Sequence, residues 1–232
     1  MLQLFIIGGI QKTTLTDFPK KVAAIVFTQG CNFRCGYCHN PELLNFTSTE
    51  QYKISDFIEF LKTRKGKLDG VVITGGEPTL QTGLYNFIKA VKSLGFAIKL
   101  DTNGTNPDIL KKLINDCLLD YIAMDIKSPL EKYSKIINVD IDISKIKKSI
   151  NIIKESNIDY EFRTTVLKSQ LSYDDFEKIG KLLYGAKRYY LQKFVCSKIY
   201  DKNLQNETSY TNAEFDKICN ILKKYIKFVD YR

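Results

Sequence analysis

The sequence predicts an α/β protein, an incomplete (β/α)6 barrel of parallel strands. Three observations lead there. Apolar, β-branched runs alternate six times with helical periods, and strand–helix–strand repetition implies parallel strands joined by right-handed crossovers. The polar residues able to do chemistry collect just after the strands, where α/β folds gather ligands. The length of 232 residues suits one sizeable core, so residues 1–232 read as a single domain. A doubly wound sheet would give a similar alternation.

Leu2–Lys20 reads as an N-terminal hairpin or extended cover packed on the barrel. The strands are predicted at Val22–Thr28, Gly70–Thr74, Ala97–Asp101, Tyr121–Asp125, Tyr160–Val166 and Arg188–Gln192. The helices are predicted near Glu50–Thr63, Leu80–Leu94, Pro107–Cys117, Ile143–Glu155, Tyr173–Tyr184 and Asn212–Phe228. Ser48-Thr49-Glu50 before the first helix and Ser172 before Tyr173-Asp174-Asp175 each offer an N-cap with acids in the first turn. Gly95 after Leu94 marks a helix stop.

Composition narrows the function classes. Hydrophobic residues at 44% and charged residues at 26% fit a soluble globular protein. The longest apolar run, Val22–Phe27, falls far short of a membrane span, so no membrane partner is expected. Met1–Ile10 has no basic start and no small-residue cleavage site; no signal peptide is read, and the expected location is cytoplasmic. The net charge of +9 comes from lysines spread over helix faces, which favours a solvated surface over a nucleic-acid site. Such a surface could still dock an acidic protein.

Cysteine usage is more pointed. Three of the six cysteines cluster as Cys31, Cys35 and Cys38, directly after the first predicted strand. Without a secretory signal, such a cluster reads as metal binding. Three thiolates at this spacing can wrap three corners of a cubane cluster and leave one iron open to an outside ligand. The competing reading is a zinc site completed by His39, but His39 directly follows Cys38, which makes joint chelation awkward. Cys117 and Cys219 fit helix faces and read as buried structural thiols, and Cys196 shares no metal-like spacing.

The segment Cys31-Asn32-Phe33-Arg34-Cys35-Gly36-Tyr37-Cys38, with an aromatic before the third cysteine, resembles the radical SAM superfamily. The resemblance implies a [4Fe–4S] cluster on Cys31, Cys35 and Cys38, whose open iron is chelated by S-adenosylmethionine (SAM). It implies reductive SAM cleavage and a 5′-deoxyadenosyl radical that abstracts a hydrogen atom. It places the backbone near Tyr37 and Cys38 against the adenine. Gly75-Gly76-Glu77-Pro78 resembles the family's GGEP motif: glycines permit close backbone approach, and Glu77 would accept from the SAM ammonium.

Asp101-Thr102-Asn103-Gly104 and Met124-Asp125-Ile126-Lys127 resemble motifs of the glycyl-radical activating enzymes. By that resemblance Asp101, Thr102 and Asp125 would help bind a monovalent cation beside SAM. Lys127 would lie close to SAM or a substrate peptide, and Arg163 would lie near SAM or form a salt bridge at the core edge. Cys38-His39-Asn40-Pro41 resembles a signature of glycyl-radical enzyme activators in general, and Ile7-Gly8-Gly9-Ile10-Gln11-Lys12, Leu15-Thr16-Asp17-Phe18-Pro19 and Tyr190-Leu191-Gln192-Lys193-Phe194 are most similar to activators of anaerobic ribonucleotide reductases. This implies a glycyl-radical enzyme as protein substrate and an electron donor of the flavodoxin or ferredoxin type. Three other readings stay open. One is an activator of another glycyl-radical enzyme such as pyruvate formate-lyase, whose activators usually carry an Asp-Gly-Pro-Gly turn where this chain has Asp17-Phe18-Pro19-Lys20. Another is a small-molecule radical SAM enzyme such as a 7-carboxy-7-deazaguanine synthase, which usually lacks His-Asn-Pro after the third cysteine. The last is a metal-binding scaffold without turnover.

Overall fold

The structure, a computed structural model, describes residues 5–47 and 52–232. The strands are β1 (Ile7–Thr14), β2 (Ala23–Thr28), β3 (Gly70–Gly75), β4 (Ala97–Thr102), β5 (Tyr121–Asp125), β6 (Asp159–Val166), β7 (Arg188–Lys193) and β8 (Phe228–Tyr231). The helices are α1 (Ile54–Lys62), α2 (Leu84–Ser93), α3 (Pro107–Asn115), α4 (Tyr133–Ile137), α5 (Ile143–Glu155), α6 (Tyr173–Leu182) and α7 (Asn212–Leu222). All strands join one sheet whose spatial order is the chain order, parallel from β2 to β8. Each crossover therefore advances one strand in a constant direction. A doubly wound sheet would reverse part-way, so the barrel reading holds. Among the described residues β1 and β8 do not pair, and the barrel stays open.

Strand alternation sorts the side chains into two shells. One face of β3 to β6, with Val71, Ile73, Ile98, Leu100, Ile122, Met124 and Phe162, is buried against the helices. There it meets Phe57 and Leu61 of α1, Phe87 and Val91 of α2, Leu110 of α3, Ile150 of α5 and Phe176 of α6. The other face lines the barrel interior. At its base Phe18 packs with Ala23, Ile25, Val72 and Tyr121 as an apolar plug. Above the plug the interior turns polar, with Thr74, Lys99, Asp101, Asp125, Glu161, Arg163, Thr165 and Gln192 lining a cavity.

All six predicted strands form, and Ser172 closes the expected capping box with Asp175. Gly95 ends α2 in the left-handed region at φ 94°. Three details differ. The last helix, expected over Asn212–Phe228, stops at Leu222 as α7, and a seventh parallel strand not expected from the sequence, β8, follows from Phe228 for only four residues. The N-terminal extension contributes one strand, β1, that pairs antiparallel with β2 rather than folding on itself. Cys117 is exposed, because α3 ends at Asn115 and Cys117 takes the left-handed conformation at φ 53°. Cys219 is buried as expected. The Ser48-Thr49-Glu50 cap lies outside the described residues, and α1 begins after Lys53 with no side-chain cap. Among the described residues no helix is long and apolar enough to cross a membrane.

Candidate functional site

The C-terminal ends of the parallel strands open into a cavity of about 610 Å³. Cys31, Cys35, Tyr37, Cys38, Gly75, Gly76, Glu77, Asp101, Thr102, Asp125, Lys127 and Arg163 all line it. Pro78 lies just behind, buried at the start of a short 3-10 turn. Residues scattered over much of the sequence thus converge on one space, as strand-end placement in a barrel requires.

The cysteine loop is pinned on three sides. Gly76 N–H donates to Thr28 O at 2.8 Å and Glu77 N–H to Gly30 O at 2.8 Å, which ties the end of β3 to the start of the loop. A Cβ on Gly76 would overlap the Gly30 carbonyl oxygen, so only glycine fits this approach. Arg34 N–H donates to Ile137 O at 2.8 Å, and Asn138 Nδ2 donates to Arg34 O at 2.9 Å. From the far end of the chain, Tyr200 N–H reaches Cys38 O at 3.1 Å and Asp201 N–H reaches Gly36 O at 2.9 Å.

Burial raises the Cys31 thiol to about 12 and pushes Cys35 and Cys38 up in the same direction, with the Lys127 ammonium opposing each rise. Without metal the thiols hold their protons at neutral pH, so metal loading must displace them. His39 lines the same cavity, its ring stacked on Phe194 at 6.0 Å. Three thiols lining one mouth beside a basic group suit a cluster whose corners lie on separate irons. Tyr37 is buried beneath Lys127, whose ammonium stands 5.9 Å from the ring centroid. Its hydroxyl lies beside the Cys35 thiol and, alone among buried side-chain polar atoms of the described residues, lacks a hydrogen-bond partner of regular geometry.

Glu77 is 1% exposed and organises the neighbouring strand end. Its Oε1 accepts from Thr79 N–H at 3.0 Å, Thr79 Oγ1 at 2.5 Å and Thr102 Oγ1 at 2.7 Å. Its Oε2 accepts only from Asn103 N–H, at 2.6 Å. Burial outweighs these four donors and holds the carboxyl above its usual range. Oε2 therefore retains capacity for a cationic donor.

At the barrel centre, Asp101 accepts from Lys99 Nζ at 2.6 Å and from Arg163 Nη1 at 3.1 Å. Asp125 accepts from Arg163 Nε at 2.9 Å and from Lys127 Nζ at 3.0 Å. Burial works against both carboxylates, but Arg163 with Lys99, and Arg163 with Lys127, more than offset it and hold both below the ordinary carboxylate range. Lower in the barrel, Glu161 accepts from Tyr121 Oη at 2.9 Å and Arg232 Nη2 at 2.8 Å.

Asn103, Lys99, Glu161 and Arg232 line the same cavity and were not among the residues singled out from the sequence. Asn103 was within reach, since it belongs to the Asp-Thr-Asn-Gly motif. Its Nδ2 donates to Asn32 Oδ1 at 2.8 Å, linking β4 to the cysteine loop.

A family model described as the radical SAM superfamily matches residues 25–183. The chain is 33% identical over 98% of its length, and 95% of the relative's, to a Methanocaldococcus jannaschii protein provisionally named a glycyl-radical enzyme activating enzyme. It is 31% identical over 67% of its length, and 64% of the relative's, to the 7-carboxy-7-deazaguanine synthase of Aquifex aeolicus. Among solved structures, Streptococcus suis SuiB bound to precursor peptide SuiA superposes with a TM-score of 0.67 at 16% identity, covering 90% of this chain and 48% of that one; this likeness concerns the fold.

Proposed function

The chain belongs to the radical SAM superfamily, and on that premise we propose that it activates a glycyl-radical enzyme, taking a hydrogen atom from a glycine Cα of that protein. The observation that carries this reading is the similarity to the M. jannaschii relative, which runs over nearly the whole of both chains. The match to the deazaguanine synthase covers less of each. The structure offers a second support. Three exposed apolar side chains, Phe46, Val195 and Tyr200, sit in the loops framing the cysteine end of the barrel. Exposed apolar groups around a site mouth suit a protein partner.

In this reading Cys31, Cys35 and Cys38 would hold a [4Fe–4S] cluster, which when bound would supply the electron for reductive cleavage of SAM. Glu77 binds the SAM ammonium through Oε2, and the backbone at Tyr37 and Cys38 borders the adenine. Gly75 and Gly76 line the cavity and let the end of β3 lie close against Thr28 and Gly30, and Pro78 starts the turn that presents Thr79 to Glu77. Lys127 and Arg163 fix the two aspartates beside the reaction space. The net charge of +9 suits an acidic electron donor of the flavodoxin or ferredoxin type.

We propose an anaerobic ribonucleotide reductase as the partner, on the Ile7–Pro19 segment and the Tyr190–Phe194 segment. The test mixes the reduced, cluster-loaded protein and SAM with the organism's own reductase. An organic doublet in electron paramagnetic resonance should appear on the reductase together with 5′-deoxyadenosine, and a Gly→Ala change at the reductase's radical glycine should remove it. A doublet on a different glycyl-radical enzyme alone would move the partner. Turnover of a purine-like small molecule without any doublet would favour the deazaguanine-synthase reading.

A further inference from the structure

Every carboxylate oxygen at the barrel centre already holds a basic donor from the chain itself. Asp101 Oδ1 takes Lys99 Nζ and Oδ2 takes Arg163 Nη1, while Asp125 Oδ1 takes Arg163 Nε and Oδ2 takes Lys127 Nζ. Two negative charges thus meet three positive ones. The third group of the expected cation site, the Thr102 hydroxyl, is also engaged: it donates to Glu77 Oε1 at 2.7 Å and accepts from Gly104 N–H at 3.1 Å. A monovalent cation entering here would face a cluster of net positive charge in which each carboxylate oxygen already accepts from an ammonium or a guanidinium. The residues present do not fit it.

Lys99 is the group that makes the difference. It stands two positions before Asp101 on β4, so strand alternation puts both on the inner face. Its side chain is 3% exposed. The nearest alternative acid inside the barrel, Glu161, is already held by Tyr121 and Arg232. An ammonium fixed by covalent attachment acts at a high effective concentration, and its burial leaves little screening by salt.

We propose that Lys99 is a tethered cation, a positioning residue that takes the place of a dissociable sodium or potassium ion beside the SAM site, with Arg163 bridging the two aspartates. The proposal concerns SAM binding and rests on family membership alone, so its failure would leave the partner assignment untouched.

The experiment measures SAM binding to the cluster-loaded protein by calorimetry at constant ionic strength, with sodium, potassium or tetramethylammonium as the only added cation. Wild type should bind SAM with the same Kd in all three to within about twofold, the signature of no coupling. Lys99→Met removes the charge but keeps the stem. It should bind about tenfold more weakly in tetramethylammonium and regain affinity with potassium or sodium. Lys99→Arg should stay insensitive. A second readout uses thallium(I) as a potassium surrogate: its nuclear resonance should show no stoichiometric bound ion on wild type and one on Lys99→Met. A wild-type Kd weakened about fivefold or more in tetramethylammonium, or one thallium ion bound to wild type, overturns the proposal. A folded Lys99→Met that stays insensitive overturns the role of Lys99. If that variant fails to fold, the two wild-type measurements decide the matter by themselves.

Discussion

Replacing Glu77 by Gln perturbs one oxygen with known surroundings. The amide nitrogen must take the position of either Oε1 or Oε2. At Oε1 it would face three donors; at Oε2 it faces only Asn103 N–H, and the second arrangement costs less. The Asn103 N–H is then stranded, at about 1–3 kcal/mol in folding stability, offset in part because a charge that burial disfavours has gone. The effect on SAM is of a different kind. Oε2 is the atom with capacity for the ligand's ammonium, and a charge-assisted contact is worth about 1.5–3 kcal/mol. At about 1.4 kcal/mol per decade, Kd should rise roughly 10- to 150-fold. Calorimetry on the reconstituted protein gives this number, and iron analysis on the same sample checks the cluster. A Kd within about twofold of wild type with the cluster intact would refute the assignment. So would a lost cluster with unchanged SAM affinity.

Other outcomes follow from the same geometry. Changing Cys31, Cys35 or Cys38 to Ala should abolish iron–sulfur loading as read by visible absorbance and iron content, whereas changing Cys117, Cys196 or Cys219 should leave it intact. Gly76→Ala should destabilise by more than about 2 kcal/mol in denaturant titration because backbone atoms block its Cβ; Gly185→Ala, with open space but φ 79°, should cost only about 1 kcal/mol. Asp175→Ala removes the α6 capping box and the Lys132 ion pair, at about 1–2 kcal/mol. Burial opposes the charge of Asp175, but Lys132 and Ser172 hold its carboxyl below the usual range. That stability is complete above about pH 4 and is lost as pH falls through the depressed value, so the melting-temperature gap between wild type and variant should close in acid.

The six central strands and the strand-end motifs were legible because each rests on local signals: β-branched runs, cysteine spacing and paired glycines. Lys99 was not. In Ala97-Ile98-Lys99-Leu100-Asp101, alternation separates apolar from polar faces, and a lysine opposite isoleucine and leucine ordinarily faces water. Here the polar face turns into the barrel, and only curvature of the whole sheet reveals that. Glu161 and Arg232 were hidden for a related reason, since their pairing depends on β8, a four-residue strand just past the last helical pattern with no glycine or proline before it to mark the break. Asp101, Asp125 and Arg163 were found individually. Their union needed β4, β5 and β6 side by side.

The two backbone hydrogen bonds from Tyr200 and Asp201 to the cysteine loop have a meaning in terms of synthesis. They join residues near the start of the chain to residues near its end. While the ribosome is still making the intervening strands, Cys31, Cys35 and Cys38 have emerged but lack this brace, and Cys38 O and Gly36 O are left to water. The hydrogen bonds that hold the loop are therefore complete only once the segment after β7 has been made and packed.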